Sequence, residues 1–202
     1  MNKVFSCFAL LLFSAIATAQ SVIAEYDCER TYPSGTVLDY TGKYFFQNNQ
    51  SLSYLVATYL DKYPNGIMKT QNGEMVFSSD SVQDMVYIDL ENGYRKSVFG
   101  GKVYQHKMTP GIENWQMTGN EKEIAGFKCF NALLLSKNKP DTIADIWFTK
   151  DIAVPTSIEY AGYVPGFVVS ARLPGNFTAT LRRVSLVESI SPEIFKREEL
   201  EQ

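Results

Sequence analysis

Alternation of apolar and polar residues, repeated along most of the chain, most narrows what this sequence can fold into. In residues 22–30, Val22, Ala24, Tyr26 and Cys28 form one set and Glu25, Asp27 and Glu29 the other. Successive strand side chains point to opposite faces, so a period of two marks a strand with one buried face. Residues 36–47 repeat the pattern, with Leu38, Tyr40, Tyr44 and Phe46 on the apolar side, and residues 51–60 continue it after Asn48-Asn49. Two alternating runs around an Asn-Asn turn read as a hairpin. Residues 61–82 hold the turns Tyr63-Pro64-Asn65-Gly66 and Gln71-Asn72-Gly73, with short strands between. Strands at 84–90, 94–99 and 102–108, with Glu91-Asn92-Gly93 and Gly100-Gly101 between them, read as an antiparallel meander.

Beyond Trp115, Thr118-Gly119-Asn120 reads as a turn, and 121–136 as one long apolar strand bent at Gly126. Residues 142–149 place Ile143 and Trp147 against Ile146 and Phe148. Apolar residues on both faces predict a central strand covered on both sides. Residues 152–165 read as irregular, because Pro155 and Pro165 disfavour a central strand. Residues 167–173 and 176–188 form a last hairpin around Pro174-Gly175-Asn176. Within it the apolar phase moves from Phe177, Ala179 and Leu181 to Val184 and Leu186, which predicts a β-bulge near Arg182-Arg183. Ser191-Pro192-Glu193 opens a short C-terminal helix, with Ser191 as cap and Pro192 in the first position.

The start of the chain stands outside this pattern. Met1-Asn2-Lys3, an apolar run from Val4 to Ile16 and Ala17-Thr18-Ala19 have the grammar of a cleaved secretory signal. The run is shorter than the ~20 apolar residues a membrane-spanning helix needs. The expected organisation is a signal peptide over 1–19, a single antiparallel β domain over 20–190 and a helix or tail over 191–202. Cys7 has no lipid-attachment context, so the expectation is an exported protein, periplasmic or secreted, with no integral membrane segment once the signal is removed. Removing residues 1–19 takes the chain from 202 residues to 183 and its net charge from −3 to −4, since Lys3 is the only charge lost. A mildly acidic domain lacks the cationic footprint of nucleic-acid binding.

Catalytic parts are scarce. His106, the one histidine, lies in a strand between Gln105 and Lys107, and no Gly-x-Ser-x-Gly elbow accompanies it. Ser136-Lys137-Asn138-Lys139 has Ser-x-x-Lys spacing but ends a strand, where the two side chains do not stack as on a helix. One histidine and two distant cysteines do not make a zinc site, and no Gly-rich phosphate loop is present. The expectation is therefore no catalytic residue, no metal and no cofactor. Asp27 with Glu29, or Asp145 with Asp151, stands as the remote alternative of a carboxylate-dependent hydrolase.

Cys28 and Cys129 remain after export. They could pair, closing a loop of about 100 residues worth ~4 kcal/mol in the entropic view, or serve as two small buried apolar side chains. The many Tyr and Phe residues fit either an ordinary β core or an apolar groove holding a lipid-like ligand. Tyr160 and Tyr163, in the irregular segment beside the sheet, would be the mouth of such a groove.

Four blocks carry a family resemblance: Trp115; Lys122-Glu-Ile-Ala-Gly126-Phe-Lys-Cys129-Phe-Asn-Ala132; Trp147-Phe148-Thr149-x-Asp151-Ile152; and Val164-Pro165-Gly166-Phe167-Val168. Their order and spacing resemble the GLPGLI family of secreted bacterial proteins over residues 22–190. Tyr163 replaces the first glycine of the naming segment, and Ala153 stands where the family usually has proline, so the chain looks like a divergent member. The resemblance implies a strongly curved sheet or half-barrel like those of periplasmic lipoprotein carriers. In it Trp115, Gly126, Cys129, Trp147, Pro165 and Gly166 act as structural signature residues. It implies no activity. The expected function is a non-enzymatic exported β domain binding a lipid-like ligand or an envelope protein; the alternative is a structural or protein-interaction module without a small ligand.

Overall fold

The computed structural model describes residues 21–70, 73–108, 115–136, 142–156, 158 and 166–196. The expected signal peptide therefore lies outside the described residues. The strands are β1 (Ser21–Thr31), β2 (Val37–Gln47), β3 (Gln50–Ala57), β4 (Ile67–Thr70), β5 (Gly73–Val76), β6 (Val82–Asp89), β7 (Tyr94–Phe99), β8 (Lys102–Lys107), β9 (Trp115–Ile124), β10 (Phe127–Leu135), β11 (Thr142–Thr149), β12 (Phe167–Leu173) and β13 (Phe177–Val187). Eleven form one sheet in the order β8-β7-β6-β3-β2-β1-β13-β12-β11-β10-β9, and β4 with β5 makes a separate hairpin. The fold is all-β and antiparallel, as the alternation predicts, and its large sheet is curved, as the family resemblance implies. No described helix is long and apolar enough to cross a membrane.

The sheet is two meanders joined side by side where β1 meets β13. Its edges, β8 and β9, are consecutive in sequence, and only residues 108–114 separate Lys107 from Trp115. Eight peptide steps reach at most roughly 28 Å. Ten inter-strand spacings in a flat sheet would put the edges roughly 48 Å apart. The sheet must therefore curl through about half a turn or more. Side-chain contacts on the inner face agree. The rings of Tyr44 on β2 and Phe167 on β12 approach to 6.1 Å, and the Tyr26 hydroxyl on β1 donates to the Val168 carbonyl on β12 at 2.7 Å.

The turns hold where the sequence punctuates clearly. Asn48 and Asn49 both take positive φ (51° and 61°), the two-residue geometry that matches strand twist. The bulge forms as expected: Glu25 faces Arg183 and Tyr26 faces Leu181, leaving Arg182 as the extra residue. The meander of β6, β7 and β8 and the β12–β13 hairpin are also present.

Four expectations need correction. The long strand over 121–136 is a hairpin: Ala125 and Gly126 both take positive φ (51° and 81°), so Gly126 reverses the chain instead of bending it. Thr118-Gly119-Asn120 is not a turn but a bulge inside β9, three residues opposite Asn131 alone. Strand β11 is covered on one face only. Ala144, Ile146 and Phe148 are buried, whereas Ile143 is exposed and Trp147 is half-buried, packed at the border of the core with the Lys122 ammonium 3.9 Å from its ring centre. In place of the tail helix, the described part of the tail carries one 3-10 turn, Pro192–Ile194, and Ser191 makes no side-chain cap. Ile194 and Phe195 instead pack on an outer-face cluster around Leu52 and Met85, a tertiary contact that overrides a weak local preference.

Candidate functional site

The concave face is where the apolar groove, the alternative to an ordinary β core, would lie. Val22, Ala24, Tyr26 and Cys28 of β1 and Leu38, Tyr40, Tyr44 and Phe46 of β2 all turn into the core, together with Phe148, Phe167 and Phe177. Burial pushes the Tyr26, Tyr40 and Tyr44 hydroxyls well above the ordinary tyrosine range. The raised values keep these hydroxyls protonated, and Tyr26 and Tyr44 use theirs in hydrogen bonds to the Val168 carbonyl and Thr156.

The groove has an occupant from the chain itself. After β11 an irregular strap follows, in which Ile152, Val154, Thr156 and Ile158 are buried while Asp151 and Ala153 are exposed. Thr156 and Ile158 are both 0% exposed. The Thr156 hydroxyl is hydrogen-bonded to the Tyr44 hydroxyl. Gly42 faces the strap, and a Cβ there would run into Ile158 and lie 2.9 Å from the Cys28 sulfur. The glycine is needed because the strap approaches so closely. Burial of each aliphatic strap residue contributes roughly 1.5–3 kcal/mol. The described part of the irregular segment is thus core, not a mouth; Tyr160, Tyr163 and Pro165 lie outside the described residues.

The signature residues are spread over the β9–β12 half. Trp115 begins β9, Cys129 is buried in β10, and Gly166 brings the start of β12 against β11, where a Cβ would meet the Thr149 carbonyl and lie 2.7 Å from the Phe148 ring. Cys28 and Cys129 are not bonded to each other. Strands β13, β12 and β11 stand between theirs, so along the sheet they are four spacings, roughly 19 Å, apart. Burial raises the Cys129 thiol pKa, which disfavours the thiolate.

The carboxylates give no hydrolase pair among the described residues. Asp27 is exposed and lies 3.6 Å from Arg182. Glu29 is exposed as well. Asp145 lies within β11, hydrogen-bonded by Asn131, whereas Asp151 lies in the bend beyond the end of that strand. His106 is exposed on edge strand β8, and no cluster of His, Cys, Asp or Glu among the described residues could hold a metal.

One charged residue behaves unexpectedly. Glu25 sits on the polar side of β1 yet is only 4% exposed. Lys43 hydrogen-bonds its Oε1, Arg183 donates to Oε1 at 2.8 Å, and Arg182 donates to Oε2 at 2.6 Å. The Lys43 and Arg182 hydrogen bonds outweigh the cost of burial and lower its pKa to about 2. Glu25 in turn raises the Arg182 pKa. The bulge makes this possible, because an extra residue brings two consecutive arginines to one carboxylate. The phase switch at Arg182-Arg183 was the legible sign; that Glu25 lies opposite was not, since it requires the β1–β13 pairing.

Neither a family model nor a curated protein matches the chain. Among solved structures it is similar to PNGF-II in two crystal forms, with TM-scores of 0.58 and 0.53 at 12% identity, over 89% of this chain and 30% of that one. At that identity the likeness shows the fold alone, and this chain spans about 30% of the length of PNGF-II. It also matches a domain named for outer membrane lipoprotein sorting from Vibrio parahaemolyticus (TM-score 0.36, 7% identity, 90% of this chain and 92% of that one). A LolA superfamily protein from Nitrosomonas europaea matches at TM-score 0.34 and 6% identity, over 91% and 93%. Both scores are too low to build on. What stands is an antiparallel β fold of a type also found as one part of a larger protein.

Proposed function

We propose that this chain is an exported, non-enzymatic β module of the cell envelope, a divergent GLPGLI-type domain, which acts through its surface. The single observation supporting this is the strap: the concave face, where a carrier would hold lipid, is occupied by Ile152, Val154, Thr156 and Ile158. A filled core fits a structural or protein-interaction module better than a carrier. The test is extraction of the purified mature protein with organic solvent, followed by mass spectrometry and native mass measurement. The reading expects the bare chain mass and no stoichiometric lipid; one lipid-like molecule per chain sinks it.

A second reading keeps the lipid-like ligand and rests on how the strap is held. The burial of Ile152, Val154 and Ile158 in the core of the concave face supports a reading in which this face holds an apolar guest. On this reading the ligand displaces the strap. Lipid binding that strengthens in Ile158→Ser, where strap packing is weakened, would favour the carrier.

A further inference from the structure

Away from the concave core, the outer face of β9–β12 carries a connected row of polar side chains. The Thr118 hydroxyl donates to Asn131 Oδ1 at 2.8 Å. Asn131 Nδ2 then donates to Asp145 Oδ1 at 2.6 Å and to the Ile146 carbonyl at 2.9 Å. Asn131 is 5% exposed, so a buried amide fixes the carboxylate from behind. Across the next strand pair, Asp145 faces Arg172. Opposite charges on paired positions ordinarily meet, yet no ion pair joins these two among the described residues, and Arg172 is exposed. Both open on a groove of about 390 Å³ that also touches Leu133, Ile143 and the Pro174–Asn176 turn. Ile143 is the extra residue of a bulge between β10 and β11, and it is 36% exposed. Bulges commonly re-aim side chains beside binding sites.

We propose that this groove binds a neutral polyhydroxylated ligand, a saccharide, held between Asp145 and Arg172. A carboxylate only accepts and a guanidinium only donates, so one ligand serving both must offer donors and acceptors a few ångströms apart. Adjacent hydroxyls do this. The two charges cancel, so a charged ligand leaves one charge uncompensated. In an open groove an ion pair is worth little, which disfavours recognition by charge alone. Ile143 and Leu133 offer an apolar surface to the C–H face of a sugar ring. Asn131 is a positioning residue, holding Asp145 ready so that no ordering cost falls on binding.

The test is saturation-transfer NMR on the mature protein with the methyl glycosides of glucose, galactose and mannose, and in a parallel arm with dextran. Transfer from a methyl glycoside supports a site for free sugar; transfer from dextran alone supports the same chemistry read on a polymer. Arg172→Ala, an exposed position, and Asp145→Asn are expected to weaken binding about tenfold or more while leaving the amide spectrum folded. Asn131→Ala should weaken it less, with recovery in Asn131→Gln. No transfer in either arm, transfer unchanged in Arg172→Ala and Asp145→Asn, or binding of alanine zwitterion in place of sugar would overturn the proposal.

Discussion

The seam where β1 meets β13 and the two outer edges, β8 and β9, are the same kind of structure built to opposite ends. At the seam ten residue pairs hold register, the inward side chains of β1 (Val22, Ala24, Tyr26 and Cys28) are buried, and the one irregularity gathers three cations on Glu25. At the edges all six residues of β8 are exposed, with Lys102 and Lys107 at its ends. Strand β9 is interrupted by its bulge and carries Glu121-Lys122-Glu123. Charge and irregularity at the edges discourage pairing with another chain. At the seam the same two devices, a bulge and charged side chains, fasten the sheet. What differs is burial: a bulged arginine against a buried carboxylate is a clamp, while a bulge facing water is a guard.

Breaking the seam side should cost most. Phe167→Ala removes a fully buried ring that touches Tyr26 and Tyr44, and a loss of about 3–5 kcal/mol is expected in chemical denaturation. Glu25→Gln leaves Lys43, Arg182 and Arg183 without their carboxylate and should cost about 2–3 kcal/mol, less than a wholly buried pair because the cations reach water. The same variant carries a pH signature. Glu25 has a lowered folded pKa of about 2, so its contribution is complete above the unfolded carboxylate pKa and is lost as pH falls toward 2. Wild type should therefore lose more stability between pH 5 and 2 than Glu25→Gln, as read by urea midpoints; equal slopes would show that the clamp is not coupled to folding. Gly42→Ala pushes a methyl into Ile158 and should cost about 1–3 kcal/mol, with Ile158→Val partly restoring it. At the edge, Lys102→Val with Lys107→Val should change stability by under about 0.5 kcal/mol. It should raise self-association in sedimentation, because only the guard is removed.

The strands were readable because a period of two survives wherever one face is buried and the other wet. The bulge at Arg182 was readable for the same reason, as a slip in that period. Legibility stopped where the cause was tertiary. Ala125-Gly126 reverses the chain without an Asn-Gly signal. Ile152, Val154 and Ile158 alternate, but Pro155 and the absence of strand partners hid the strap among loop residues. Glu25 looked like a solvated strand residue, since nothing local says that two arginines from the far end of the chain arrive beside it. The Thr118–Asn131–Asp145 row was unreadable for the same reason, as it is assembled by register across three strands.

The short connection between β8 and β9 bears on how the chain folds. Apart from β3 with β6, which pair across the β4–β5 hairpin, each meander joins consecutive strands, so its pairings cost little loop entropy. The seam joins partners from Arg30 with Phe177 to Ser21 with Val187, 147 to 166 residues apart. Closing so long a loop should be the slow, late event. Because Ser21 and Val187 are paired, a linker joining the chain beyond Phe195 to Ser21, with new ends opened within 108–114, would make the slowest contact local while keeping the packing of Ile194 and Phe195.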